Sequence, residues 1–267
     1  MNYFFVLGAR DPEMIEITRV LDAQHITWAF ATIAGLPVRS SEAYRANGVG
    51  RAIGTGERPN SIGPVLIPKD SNIVVVECDV IGLIPHEICD HHNEGDPGYG
   101  MPPDRFMEGS SLGQVLSLLK LEATPEQRII AAADHCLRYA YEGRCPGICP
   151  KELAAWRERS RAEVRGITVE EIQGRIEHAM AVLKDAPCIQ VSGTDVAFFP
   201  PESDFPQEVP EASARLGIPF CYVRKESGRS KAGIMSAGPE VIREWMQECK
   251  LKDVYGDPAR GFAGGYF

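Results

Sequence analysis

Residues 73–100 read IVVVECDVIGLIPHEICDHHNEGDPGYG, and the fold is decided by how this stretch is taken. The β-branched run Ile73 to Val76 predicts a buried strand of the kind found inside α/β sheets, and its C-terminal end delivers Glu77, Cys78 and Asp79. Asp90-His91-His92 follows eleven residues after Asp79, ahead of a turn-rich run from Asn93 to Gly98. Carboxylates are hard oxygen donors and imidazoles borderline nitrogen donors, and α/β proteins place ligand sites at strand ends, so a divalent-metal site is expected here. Glu94 and Asp96 sit among glycine and proline and are read as turn formers.

Upstream, residues 3–8 (YFFVLG) predict a short buried strand. Asp11-Pro12-Glu13 then offers an N-cap, a proline at the first helical position and an acid in the first turn of a helix running to about Ala23. Thr27 to Ile33 predicts a second strand, which makes a βαβ start. Residues 35–64 are rich in glycine and proline and read as loop with one helical turn near Ser41 to Ala46. Arg39, Arg45, Arg51 and Arg58 along it either line an anion site or form a solvated surface.

Downstream, Gly109-Ser110-Ser111 opens a leucine-rich helix, and serines at a helix start suit a phosphate as well as they suit capping. Thr124 begins a capping box and a helix to about Tyr141 that carries Asp134, His135 and Cys136. Residues 151–184 are charged and helical, with Arg157 to Arg165 read as a solvated face. Beyond Asp185, short apolar runs alternate with turns, and the tail Gly256 to Gly265 is read as too glycine-rich for regular structure, free to cradle a ligand. The expected division is a metal-binding domain over 1–145, a helical linker over 146–186 and a smaller substrate-binding domain over 187–267.

With 267 residues, 44% of them hydrophobic, the chain can build one large core or two modest ones. The net charge of -9 opposes tight binding along a polyanion, so no long nucleic acid is expected as partner. There is no 18-residue apolar run and no basic leader ahead of a cleavage site, so neither a membrane partner nor a secretory signal is expected, and a cytoplasmic location follows. The eight cysteines are scattered and read as reduced. Cys136, Cys145 and Cys149 follow no known zinc spacing, so buried thiols are favoured over a structural zinc while the zinc option stays open.

The ordered set of these features resembles the DHH phosphoesterase superfamily, which includes family II pyrophosphatases, RecJ-like exonucleases and oligonucleotide phosphodiesterases. The namesake triplet stands at Asp90-His91-His92, the aspartate ending the preceding strand at Asp79, and a later aspartate after a small apolar run at Asp134. The resemblance covers roughly residues 3–140. It implies a parallel-sheet, DHH-type N-terminal α/β domain with helices on both faces and a smaller mixed α/β C-terminal domain. It departs at the first motif, where Ala9 replaces the family's histidine, Glu13 its first aspartate and Ile15 its second, so this would be a divergent member with an eroded first metal motif.

What the resemblance implies for chemistry is a metal-dependent hydrolase of a phosphodiester or phosphoanhydride bond in a small phosphorylated, nucleotide-like substrate. Asp79, His91 and Asp134 would hold the metal, with Glu13 and His135 as replacement ligands. Manganese is the first choice, with iron or zinc as alternatives. His92 would contact substrate or steady the leaving oxygen, and Asp90 would orient an imidazole. Arg10, Ser110, Ser111, Arg224, Lys225, Arg229 and Lys231 would bind the anionic substrate. The alternatives are a catalytically silent nucleotide- or phosphate-binding protein on the same fold and a diverged metalloenzyme of other chemistry. A homodimer is compatible with either.

Overall fold

The computed structural model describes residues 2–52, 62–203, 205–226 and 229–267, so Arg58 of the arginine-bearing stretch lies outside the described residues. The chain divides into two units, residues 1–99 with 107–131 and residues 100–106 with 132–267. Residues 146–186 fall inside the second unit.

The first unit is built on a sheet whose centre is β1 (Tyr3–Leu7). The chain continues through α1 (Pro12–Ala23), β2 (Thr27–Ile33), β3 (Leu36–Pro37), a 3-10 turn over Ser40–Arg45, β4 (Gly48–Ala52), β5 (Ile62–Pro64), β6 (Asn72–Val76) and β7 (Glu87–Cys89). The sheet order is β5-β4-β2-β1-β6-β7, with β3 paired to β2. Pairing is parallel from β2 through β1 and β6 to β7, and antiparallel where β3 and β4 meet β2 and β5 meets β4. The expected parallel sheet is therefore corrected to a mixed one. Within the presumed loop after Gly35, Leu36–Pro37, Gly48–Ala52 and Ile62–Pro64 are short strands, and antiparallel pairing of this kind needs only a tight connection whereas parallel pairing needs a long crossover.

Period-2 alternation sorts the side chains of this sheet. Phe4, Val6, Ala29, Ala31 and Val75 form a buried cluster with Val38, with Ala43 of the 3-10 turn and with Ala46 just after it. Phe5, Leu7, Val74 and Val76 point the other way and are equally buried, as are Met14, Ile17 and Leu21 of α1. The helices α2 (Phe106–Gly109), α3 (Ser111–Leu118) and α4 (Pro125–Tyr141) follow, with α1 and α3 in contact. The boundary between the units falls within α4.

The second unit continues through α5 (Pro150–Arg165), α6 (Val169–Asp185), β8 (Cys188–Val191), β9 (Thr194–Phe199), α7 (Val209–Leu216), β10 (Phe220–Glu226), β11 (Arg229–Met235), α8 (Pro239–Glu248), β12 (Lys252–Asp257) and β13 (Phe262–Tyr266). Its sheet, β12-β13-β11-β10-β9-β8, is antiparallel except for the β9–β10 pair. Ala197, Phe199, Phe220 and Tyr222 pack on Ala179 and Leu183 of α6 and on Val209 and Ala212 of α7. Val196, Cys221, Ile234 and Ala263 pack on Val241 and Ile242 of α8. Mixed strands between helices match the expected C-terminal α/β region.

Two readings change here. The glycine-rich tail is not irregular: Phe262–Tyr266 is a paired strand, and the Tyr255 ring lies against Gly264, where a side chain would collide with it. Arg157, Arg161 and Arg165 are not a solvated face either. They pair with Glu211 and Glu208, both buried, which ties α5 to the start of α7.

Candidate metal centre

Strand β6 ends at Val76, and Glu77 takes a left-handed backbone (φ 51°), which is uncommon for a residue with a side chain. β1 and β6 close up at this end. The Gly8 N–H donates to Val76 O at 2.8 Å, and a Cβ at Gly8 would stand 2.4 Å from the Glu77 carbonyl oxygen. The Glu77 carboxylate is buried and accepts from Ser111 Oγ at 2.8 Å.

Asp79, the expected ligand, is exposed, and its backbone N–H is tied to Ala43 O at 3.2 Å. Counting two residues along a strand would put positions 77 and 79 on one face, but the strand has already ended and the turn at Glu77 breaks the alternation. The acid that meets the histidine is Glu77. Asp79, two residues on, does not share that contact.

His91 is fully buried. Its Nδ1 lies 3.1 Å from the Gly109 carbonyl, which can only accept, so Nδ1 carries a proton. Its Nε2 is 3.3 Å from Glu77 Oε1. Space for the ring depends on Gly98, where a Cβ would lie 2.8 Å from His91 Cβ and 2.0 Å from Gly109 O.

Asp90 organises the triplet and is not one of the grouped donors. Its Oδ1 accepts from the backbone N–H groups of His91 (2.6 Å) and His92 (3.0 Å) and faces His92 Nδ1 at 3.0 Å, while Oδ2 accepts from the Tyr44 hydroxyl at 2.8 Å. Burial pushes the Asp90 carboxyl upward, but the hydrogen bond and charge of His92 and the bond from Tyr44 outweigh it and hold it below the usual carboxylate range. Burial, followed by the neighbouring Asp90 charge, drives the Tyr44 phenol far upward, so Tyr44 stays a donor. Gln114 braces the same turn, accepting from Asp90 N–H at 3.0 Å and donating to Asp90 O and Gly109 O, each at 3.1 Å. Neither Tyr44 nor Gln114 carries a sequence signal that would have marked it.

Glu13 completes the buried acids. It lies in the first turn of α1, behind the Asp11 cap that accepts from Met14 N–H at 2.8 Å, and its Oε1 accepts from Leu112 N–H at 2.9 Å. Ligand atoms of Glu13, Glu77 and His91 lie within 4.8 Å of one another, and those of Glu77, His91 and His92 form a second such group. Two carboxylates ~4 Å apart repel by about 4 kcal/mol even at an effective dielectric of ~20. A divalent cation or a proton shared between them would offset that charge, and His91 Nε2 stands beside Glu77. The donor set is able to hold such an ion; mixed oxygen and nitrogen ligands suit manganese, iron or zinc better than calcium and do not choose among the three.

The other expected residues fall as follows. Ser110 and Ser111 are fully buried: Ser110 caps α3 by accepting from Gly113 N–H at 3.0 Å, and Ser111 holds Glu77. Their hydroxyls are used internally. Arg10 is exposed in the β1–α1 connection.

Asp134 and His135 belong to the second unit. There Arg260 donates to the carbonyls of Asp134 (3.1 Å) and His135 (2.9 Å), and its guanidinium lies 3.8 Å from the Asp134 carboxylate. His135 Nε2 is 3.0 Å from Met101 O, so that nitrogen is protonated and donates. Cys136 and Cys145 meet sulfur to sulfur, and among the described residues no third ligand atom joins them; Cys149 is exposed.

On the second sheet, Arg224 pairs with Lys231 and Lys231 with Tyr266, in one row across β10, β11 and β13. Arg229 shares that face and lies 4.2 Å from the Tyr266 ring, while Lys225 alternates to the opposite face. The acidic neighbour of this row is Asp253, 2.8 Å from Arg229. Among the described residues no helix is long and apolar enough to cross a membrane.

No family model matches the chain, and no curated protein matches it. Among solved structures it is similar to the pGpG-specific phosphodiesterase PggH from Vibrio cholerae, at a TM-score of 0.36 and 8% sequence identity, over 100% of this chain and 93% of that one. A likeness at that level decides neither fold nor activity.

Proposed function

We propose that this chain is a metal-dependent hydrolase of the DHH type, acting on a phosphodiester or phosphoanhydride bond in a small nucleotide-like substrate. The observation that carries the reading is the pairing of His91 Nε2 with Glu77 Oε1 at 3.3 Å beside Glu13, in a buried setting where Nδ1 is already committed to Gly109. Glu13, Glu77 and His91 would hold the ion, and manganese is the metal to try first. When bound, a divalent cation supplies Lewis acidity toward a phosphoryl group and acidifies a water.

The protein's own groups do the positioning. Ser111 and the Leu112 N–H fix the two carboxylates, and Asp90 fixes the His92 ring through Nδ1. His92 is 37% exposed at its side chain, and its Nε2 is left to exchange a proton with the leaving oxygen. Asp134 is carried into this proposal as a further ligand on the order of the sequence motifs. Arg224, Arg229 and Lys231 are carried into it as contacts for the substrate's anionic groups, as is Arg10.

The test is metal analysis of purified protein combined with a manganese-dependent assay on a short dinucleotide. Bound metal and phosphodiester cleavage, both lost in Glu77→Gln and His91→Ala, support the proposal. A protein that takes up no metal sinks it. Ala9 and Ile15, which cannot ligate, favour a second reading, a nucleotide- or phosphate-binding protein without turnover. Dinucleotide binding by calorimetry without cleavage would select that one, and bound metal with neither would point to other metal chemistry.

A further inference from the structure

We infer that Cys136 and Cys145 are a redox-active dithiol pair that closes to an intramolecular disulfide. The inference stands apart from the metal reading and uses residues of the second unit alone. The two sulfurs are 3.1 Å apart, about 1 Å beyond the ~2.05 Å of a disulfide bond, so bridging needs only a small side-chain adjustment. Both thiols are buried, at 2% and 1% exposure.

The backbone on each side is shaped for this approach. Cys136 leaves helical geometry in the middle of α4 (φ -152°, ψ 53°), a break that no proline or glycine at that position explains. Cys145 is the single buried residue in the stretch 142–147, bracketed by Gly143 and Gly147 with left-handed backbones (φ 73° and 77°). A short exposed loop with one inward side chain opens locally at far less cost than the fold, which gives a reagent access to thiols that look sealed.

With a small-molecule disulfide as oxidant the chemistry balances. One protein thiol gives up its proton and displaces a thiolate from the reagent, forming a mixed disulfide; the second protein thiol then displaces the remaining thiolate. Two protein S–H bonds are lost and one S–S bond forms, while two electrons and both protons end on the two released small thiols. The bridge closes the chain between residues 136 and 145 and pins the break in α4, directly after Asp134 and His135, to the loop.

The experiment uses the intact folded protein, incubated with oxidised glutathione, then denatured, alkylated and digested with trypsin. The expected product carries six alkylated cysteines of eight and a peptide spanning 129–138 joined to one spanning 145–151, with fragmentation placing the bond at Cys145 and not at Cys149. Cys145→Ser should leave Cys136 alkylated or glutathionylated and unbridged. Full alkylation of both Cys136 and Cys145 in the wild-type protein after oxidation, or a bond from either to another cysteine, overturns the inference, and that result needs no variant to fold.

Discussion

His91 Nε2 and Glu77 Oε1 face each other at 3.3 Å in a buried setting, while His91 Nδ1 is held by the Gly109 carbonyl. Such a contact is satisfied by a bound cation or by one proton shared between the carboxylate and the imidazole. The first makes a metal site and the second a hydrogen-bonded acid–imidazole pair, and the two differ in how they respond to substitution.

Glu77→Gln should weaken manganese binding by about 100-fold or more, since outer groups alone are worth about 10- to 100-fold in such sites. Asp79→Asn, at an exposed position, should leave binding unchanged and alter stability by no more than about 0.5 kcal/mol. Titration calorimetry on the two variants decides between the acids. Equal affinity in Glu77→Gln and the wild type would remove Glu77 from the site, and a loss in Asp79→Asn would reinstate the aspartate.

Ser111→Ala removes the hydroxyl that holds Glu77 Oε1 at 2.8 Å. Metal affinity should fall about 10-fold while the circular dichroism spectrum and the unfolding midpoint change little. Ser111→Thr, which keeps a hydroxyl, should recover most of the affinity if its methyl is accommodated. A variant that binds metal as well as the wild type would show the serine to be a packing residue only.

At Gly8 any side chain must push against the Glu77 carbonyl, 2.4 Å from its Cβ. Gly8→Ala should therefore separate the ends of β1 and β6 and destabilise the protein by about 1–3 kcal/mol, as overpacking does. Urea unfolding measures this. An unchanged midpoint would mean that the strand ends part without cost.

The Glu211 carboxyl is held at about 2, well below its usual 4.5. Burial opposes this shift, and the Arg157 guanidinium, the Tyr141 hydroxyl and Arg215 overcome it. The folded-state value is depressed, so the stabilisation is fully present above about pH 4.5 and is lost as the pH falls from there toward 2. About 3 kcal/mol is at stake over that window. Glu211→Gln should lower the midpoint at pH 7 and flatten the decline of stability below pH 4.5. An unaltered acid profile in that variant would assign the acid sensitivity to other carboxylates.

Some features were legible because local rules dictate them. The Asp11 cap and Pro12 start α1, the apolar run Ile73 to Val76 makes a strand buried on both faces, and Thr168 with Glu171 opens α6 by a capping box. Short-range signals failed where long-range pairing competes with them. The stretch after Gly35 looks like loop in isolation, yet β3 and β4 within it pair with β2, and the glycine-rich tail forms a strand in which the Tyr255 ring lies against Gly264.

The sequence by itself determined α1, the strand ending at Val76, the start of α6 and the triplet at residues 90–92, because period, capping and turn chemistry act over a few neighbouring residues. Only the tertiary structure decided that Glu77 and not Asp79 meets His91, that Ser110 and Ser111 serve a cap and a carboxylate, and that Tyr44 holds Asp90. Those assignments depend on where a left-handed residue ends a strand and on which side chains distant in sequence fold into one buried volume, and no local pattern encodes either.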